Sequence, residues 1–107
     1  MLRNGSYSAW FRTPRGEGMG VVVLNDGKLS GGDTITAYTG SYVEDGDNFT
    51  AVIATERHSE SLTSVFGFDH VDLTLTGRST AITATCTGTA KQAPGLTFEA
   101  TLVHMAD

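Results

Sequence analysis

The sequence has little of three things: cysteine, basic side chains and long apolar runs. Cys86 is the one cysteine, so an internal disulfide and a zinc site built from cysteines are both excluded. The longest purely aliphatic run, residues 21–24, is far shorter than the roughly 20 residues of a membrane-spanning helix. The first ten residues lack the apolar core of a signal peptide, so we expect a cytoplasmic protein with no membrane contact.

Basic side chains are too few for a nucleic-acid surface. The chain has 12 acidic and 7 basic residues among 107, which gives a formal net charge of -5. A nucleic-acid binder needs a Lys/Arg surface that displaces phosphate counterions, so we expect no nucleic-acid partner. The length fits a single domain over residues 1–107 and leaves no room for two.

Threonine is abundant, and β-branched residues of this kind favour sheet. The chain has 16 threonines among its 107 residues. Apolar and polar residues alternate with a period of two along most of the chain, as in half-buried strands. Segments with this alternation or with a short apolar run are residues 7–12, 18–24, 28–30, 34–43, 49–54, 71–76, 82–87 and 96–102. They predict seven or eight short strands, whereas residues 56–66 have a poor apolar stripe and predict a loop or one short turn.

Turn signals separate these segments at intervals of about 8–12 residues, the spacing of an antiparallel sandwich or barrel. The predicted turns are residues 25–27, 44–47, 77–79 and 93–95, where Gly occurs beside Asp, Asn, Ser or Pro. Connections this short exclude parallel crossovers, and closure of a sheet removes its exposed edges. We therefore predict an all-β fold, a small antiparallel β-barrel of seven to eight strands.

The interior of such a barrel can be packed or hollow. Eight strands leave just enough room to be filled by side chains, such as Phe11, or to hold one small apolar ligand. For a hollow barrel the candidate lining residues are Tyr7, Trp10, Tyr38 and Phe98, because aromatic walls with few polar groups are typical of pockets. Alternation points Tyr7 and Trp10 to opposite faces, so both line one interior only if the strand bulges.

An acidic turn is the candidate surface for a protein partner. Glu44, Asp45 and Asp47 place three carboxylates within four residues, around Gly46. Such a negative patch can dock on a basic protein by electrostatic complementarity. The alternative is a solvated turn, since Asp and Gly are ordinary turn formers.

The residues that could carry catalysis or hold a metal form no recognised pattern. His58, His70 and His104 have no spacing that marks a metal site. Ser59 lies beside a histidine and between charged residues, but no Gly-x-Ser-x-Gly elbow occurs. We therefore expect no enzyme activity, metal or cofactor; an enzyme would need His58 or His70 to meet a carboxylate in a cleft. Cys86 lies in a strand pattern and is expected to be a buried small hydrophobe.

Three sequence motifs occur in a characteristic order. The segment GMGVVVLNDGKLSGGD at residues 18–33 follows an aromatic strand at residues 7–11 and precedes the aromatic-Gly-Ser motif at residues 38–42. In this order the chain resembles the GrlR-like family, negative regulators of type III secretion. The resemblance implies a lipocalin-like barrel that forms a homodimer and holds back a transcriptional activator through protein contact. It also implies a role in that contact for an acidic loop like residues 44–47, where Gly46 interrupts the run of acids.

Two functions follow as hypotheses. The first is a non-enzymatic regulatory protein that binds a protein partner, such as a transcriptional regulator, through Glu44, Asp45 and Asp47. The second is a lipocalin-like carrier that holds a small hydrophobic ligand inside the barrel.

Overall fold

The computed structural model describes residues 1–33, 36–57 and 70–105. These residues form eight strands. In chain order the strands are β1 (Gly5–Thr13), β2 (Gly16–Asn25), β3 (Lys28–Gly32), β4 (Thr36–Asp45), β5 (Asn48–Arg57), β6 (His70–Ser79), β7 (Thr83–Ala90) and β8 (Ala93–His104). The described ranges include no helix of the length and hydropathy needed to cross a membrane.

The eight strands close into one antiparallel barrel. Each strand pairs with the next along the chain, and β8 pairs with β1 to complete the circle. Closure joins the two outermost strands, whose edges would be free in an open sheet. The predicted all-β antiparallel barrel is confirmed, and it has eight strands.

Side-chain alternation decides what lies inside the barrel. On β1, Tyr7, Ala9 and Phe11 are buried, while Arg12 on the outer face is exposed. The same period of two recurs on the other strands, so the inward residues together form one core. The alternation read from the sequence for residues 7–12 is confirmed.

The tight turn predicted at residues 25–27 is confirmed. Asp26 and Gly27 connect β2 to β3, and both have positive φ angles, 50° and 84°. A two-residue hairpin turn of this kind needs left-handed backbone at both central positions, which Asp and Gly tolerate. The acidic turn is shorter than predicted, because β4 continues through Asp45.

The turn predicted at residues 77–79 is wrong. These residues belong to β6, and Gly77 pairs with Cys86 of β7. A Cβ atom on Gly77 would collide with the carbonyl oxygen of Thr85, so this glycine permits close approach of two strands. The chain turns after Thr80, whose hydroxyl accepts hydrogen bonds from the backbone N–H groups of Ile82 and Thr83, at 3.2 and 3.0 Å.

The turn predicted at residues 93–95 is also wrong, because β8 already begins at Ala93. The chain turns at Lys91 and Gln92, and the Gln92 side chain holds the turn to β6. Its Oε1 accepts from the backbone N–H of Asp72 at 2.8 Å, and its Nε2 donates to Asp72 Oδ2 at 2.9 Å. Pro94 is tolerated at the start of a strand, where its missing N–H costs little. Residues 58–66 of the predicted loop lie outside the described residues.

The barrel has two unlike ends. One end, the plugged end, carries residues 1–4 and the turns that join β2 to β3, β4 to β5, and β6 to β7. Leu2 is buried there, and its backbone N–H donates to both Glu44 carboxylate oxygens, at 3.0 and 2.9 Å. The Ser79 hydroxyl donates to the same carboxylate at 2.7 Å, and the Arg3 N–H donates to the Ala81 carbonyl at 2.9 Å. Residues 1–4 therefore lie across this end of the barrel. We call the other end the cavity end.

We predict that Glu44→Gln destabilises the fold by about 1–2 kcal/mol, because hydrogen bonds to a charged acceptor are replaced by bonds to a neutral amide. Urea unfolding followed by circular dichroism measures this change. The control is Asp47→Asn, which alters an exposed acid of the same hairpin and is expected to change stability by less than about 0.5 kcal/mol. Equal stability of the two variants would show that Glu44 does not support the fold.

Candidate functional site

The barrel encloses an internal cavity. Its volume is about 90 Å³, counted as the space open to the centre of a water molecule. A single water needs about 10–15 Å³ on this measure. The interior is therefore hollow enough for a small ligand.

Inward residues of all eight strands line the cavity, and most of them are apolar. Three buried lining residues are small: Cys86 pairs with Ala100 across β7 and β8, and Ala9 of β1 is one inward position away from the direct partner of Ala100. Toward the plugged end larger side chains fill the interior. There the rings of Tyr42 and Phe49 stack at 5.7 Å between centroids. The cavity exists because small residues stand where the barrel has room for larger ones.

Aromatic rings form the wall near the cavity end. The Phe11 ring meets Tyr38 edge-on at 5.8 Å and stacks on Phe98 at 6.0 Å, measured between ring centroids. Phe11 lies over Gly18, where a Cβ atom would collide with the ring. Contacts of this kind add about 0.5–1.5 kcal/mol to the burial of the rings and hold them in one arrangement.

One partly buried hydrogen-bonded pair joins the aromatic wall to the loop after β3. The Tyr38 hydroxyl donates to Asp33 Oδ2, and the backbone N–H of Thr36 donates to Asp33 Oδ1 at 2.7 Å. The Asp33 N–H in turn donates to the Thr36 carbonyl at 2.9 Å. Burial, and next the hydrogen bond to Asp33, raise the pKa of the Tyr38 phenol above its usual value, so the phenol keeps its proton.

The structure brings two of the four predicted lining residues to the cavity. Tyr38 and Phe98 line it. Tyr7 points inward but is fully buried at the plugged end, where its hydroxyl donates to the Arg3 carbonyl at 2.7 Å. Trp10 is on the outer face, with the Arg12 guanidinium carbon 5.4 Å from its ring centroid. The opposite facing of Tyr7 and Trp10 follows from alternation, as expected.

The sequence offered no signal for the role of Asp33. Neither the alternation of strand residues nor the separation of the two residues along the chain shows that the Asp33 carboxylate reaches the Tyr38 phenol. Glu17 also borders the cavity. Its strand position places its side chain on the outer face, where it pairs in register with Arg12.

The three predicted partner-binding acids do not share one environment. Asp45 and Asp47 are exposed on the hairpin between β4 and β5. Glu44 is half-buried, and its carboxylate binds the Leu2 N–H and the Ser79 hydroxyl. The exposed patch on this hairpin therefore has two carboxylates, and the third carboxylate supports the fold.

The described histidines lie outside the cavity lining. His70 is half-exposed between two strands, with Nδ1 3.6 Å from Glu56 Oε1 and Nε2 3.2 Å from Asp72 Oδ1. Its two nitrogens face different carboxylates, so these groups do not converge on one point. A hydrogen bond from Gln92, and next the charge of His70, lower the pKa of Asp72.

The ring of His104 meets Tyr7 edge-on at 5.1 Å. Within the three described ranges, no group of three or more His, Cys, Asp or Glu side chains could hold a metal ion. His58 and Ser59 lie outside the described residues.

Cys86 is buried, as predicted, and it lines the cavity. Its sulfur lies 3.8 Å from the Ala100 carbonyl oxygen. Burial raises the pKa of the thiol to about 11, so the reactive thiolate is scarce at neutral pH.

We predict that Cys86 in the folded protein reacts with aqueous iodoacetamide at pH 8 at least about 100-fold more slowly than in 8 M urea, because a pKa raised by about two units lowers the thiolate fraction by that factor. Mass spectrometry of samples quenched over time measures both rates. The control is the double variant Cys86→Ala/Thr87→Cys, whose thiol is on the outer face and should react quickly in the folded state. Rapid labelling of folded wild type would contradict the buried position.

No protein-family model matches the chain, and no curated protein matches its sequence. The features that bear on function are therefore the barrel, its cavity and the two exposed acids.

Proposed function

We propose that this protein binds a small, mostly apolar molecule inside its barrel. The observation that carries this proposal is the cavity, which is lined by apolar side chains from all eight strands. Small-molecule sites in proteins are concave, mostly apolar, and supplied with a few polar groups that orient the ligand. Asp33 and Tyr38 supply such groups at the cavity end.

The energetics of the core favour a ligand. At about 24 cal/mol per Å³, a space of 90 Å³ without packing partners costs on the order of 2 kcal/mol. Protein interiors are ordinarily packed as densely as organic crystals, and a void this large is uncommon. A ligand that fills the cavity restores dispersion contacts to its walls and so stabilises the barrel.

We predict that Ala100→Leu weakens binding of apolar molecules, because the longer side chain occupies part of the cavity. Toluene at ten times its dissociation constant should stabilise the wild type by about 1.4 kcal/mol and raise its unfolding temperature by several degrees. In Ala100→Leu the shift should fall to less than about half. Scanning calorimetry with and without toluene measures both.

The control for this experiment is Thr97→Leu, which introduces the same leucine side chain at an exposed position and should leave the toluene shift unchanged. Equal shifts in wild type and Ala100→Leu would show that the molecule does not enter the cavity. Native mass spectrometry of the protein purified from its own cells then identifies the natural ligand by its added mass.

A second candidate function is capture of a basic protein partner, the regulatory role that the family resemblance implies. It is favoured by the exposure of Asp45 and Asp47 on one tight hairpin, where Gly46 has a φ of 62°. Neighbouring exposed charges of one sign raise the association rate with an oppositely charged surface. The homodimer implied by the same resemblance stays a prediction, and native mass spectrometry reports it directly.

We predict that the double variant Asp45→Asn/Asp47→Asn loses a protein that co-purifies with the wild type from its own cells, because the hairpin no longer attracts a basic surface. The control is Asp26→Asn, which removes one negative charge from the neighbouring hairpin and should retain that protein. Equal retention by all three chains, or retention that does not fall as salt is raised, would contradict a charge-based contact.

A further inference from the structure

We infer that the ligand of the cavity is a small apolar molecule with a hydrogen-bond donor, a hydroxyl or an amine, which binds at the Asp33–Tyr38 pair. This inference rests on the proposed ligand-binding function and specifies its chemistry. The polar groups of the wall decide which functional group the ligand can present.

The polar side chains of the cavity lie at one end of it. Asp33, Thr36, Tyr38 and Thr55 are lining residues, and they lie at the start of the β3–β4 connection and at the adjoining ends of β4 and β5. The deeper wall is formed by residues such as Leu75 and Leu102, which are apolar. A bound molecule is therefore expected to place its apolar body against the deep wall and its polar group beside Asp33.

Most donor hydrogens of this polar wall are already used. The Tyr38 hydroxyl donates its hydrogen to Asp33, and the Thr55 hydroxyl donates to the Val71 carbonyl oxygen at 3.2 Å. A carboxylate accepts hydrogen bonds and has no hydrogen to give. The oxygens of Asp33, Tyr38 and Thr55 can therefore act toward a ligand as hydrogen-bond acceptors. The Thr36 hydroxyl can donate or accept. A wall of acceptors is matched by a ligand that donates.

Charge points to the same class of ligand. No Lys, Arg or His occurs among the described residues that line the cavity. Arg57 ends β5 at the same end of the barrel, but it is not a lining residue and already has a partner. A ligand carboxylate beside Asp33 would place two like charges close together, which costs free energy. An ammonium group or a neutral hydroxyl has no such cost.

The test uses four probes that share one ring and differ in their polar group: toluene, benzyl alcohol, benzylamine and benzoate. Calorimetric titration of the wild type should show benzyl alcohol or benzylamine binding at least about tenfold more tightly than toluene and benzoate, since a hydrogen bond to a charged acceptor is worth a tenfold gain or more. If benzyl alcohol binds more tightly, the donor is a neutral hydroxyl, and if benzylamine does, the donor is an ammonium group.

Asp33→Asn removes the charge and adds a donor, so it should bring the affinities for benzylamine and benzoate to within about threefold of each other. Asp47→Asn makes the same charge change at the plugged end and should leave the wild-type order intact. If Asp33→Asn does not fold, Tyr38→Phe decides instead. It keeps the carboxylate and should keep the preference for benzylamine over benzoate.

The outcomes separate this inference from the function on which it rests. If toluene and benzoate bind the wild type as tightly as the two donors, the cavity binds ligands and the inference of a donor group is wrong. If Tyr38→Phe prefers benzoate, the inference is also wrong. If none of the four probes binds and toluene leaves the unfolding temperature unchanged, the proposed ligand-binding function itself fails.

Discussion

The pairing of β8 with β1 is the constraint on which the rest of the structure depends. It joins residues 7–12 of β1 to residues 99–104 of β8, and this pairing closes the sheet into a barrel. Once the sheet is closed, alternate residues of every strand must face one shared interior, and the number of strands sets how wide that interior is. At that width, the sizes of the inward side chains decide whether the barrel is packed or hollow. Ala9, Cys86 and Ala100 are small enough to leave it hollow.

The two ends of this interior differ because a carboxylate accepts a hydrogen bond from a different backbone N–H group at each end. At the plugged end, Glu44 accepts the Leu2 N–H and so holds residues 1–4 across the barrel. The buried rings of Tyr7 and Tyr42 then fill the space beneath them. At the cavity end, Asp33 satisfies the Thr36 N–H and binds the Tyr38 phenol, which places polar oxygen atoms beside an apolar void. One carboxylate thus holds the segment that closes an end of the barrel, and the other places acceptor oxygens at the opposite end.

The barrel was predictable from the sequence because its main signal is local. Alternation along residues 7–12 and the left-handed turn at Asp26 and Gly27 depend on neighbours in the chain. The features that sequence reasoning missed depend on distant partners. Gly77 resembles a turn residue, but it is needed because the Thr85 carbonyl lies close by. Glu44 resembles an exposed turn acid, but it binds the N–H of Leu2, 42 residues away. The presence of a void also depends on how all eight inward faces meet, which no single segment shows.

The two candidate functions use opposite ends of the same strand. β4 begins beside Asp33 with Thr36 and Tyr38 in the cavity wall, and it ends at Asp45 on the acidic hairpin. Between them the strand is hydrogen-bonded on both sides, to β3 and to β5, so it is a rigid part of the barrel. Closely packed elements of this kind have low compressibility and transmit strain. However, the two sites share no side chain, and the acids at one end are separated from the cavity by the packed rings of Tyr42 and Phe49. The two proposed functions, ligand binding and partner capture, are therefore structurally independent, and evidence for one is not evidence against the other.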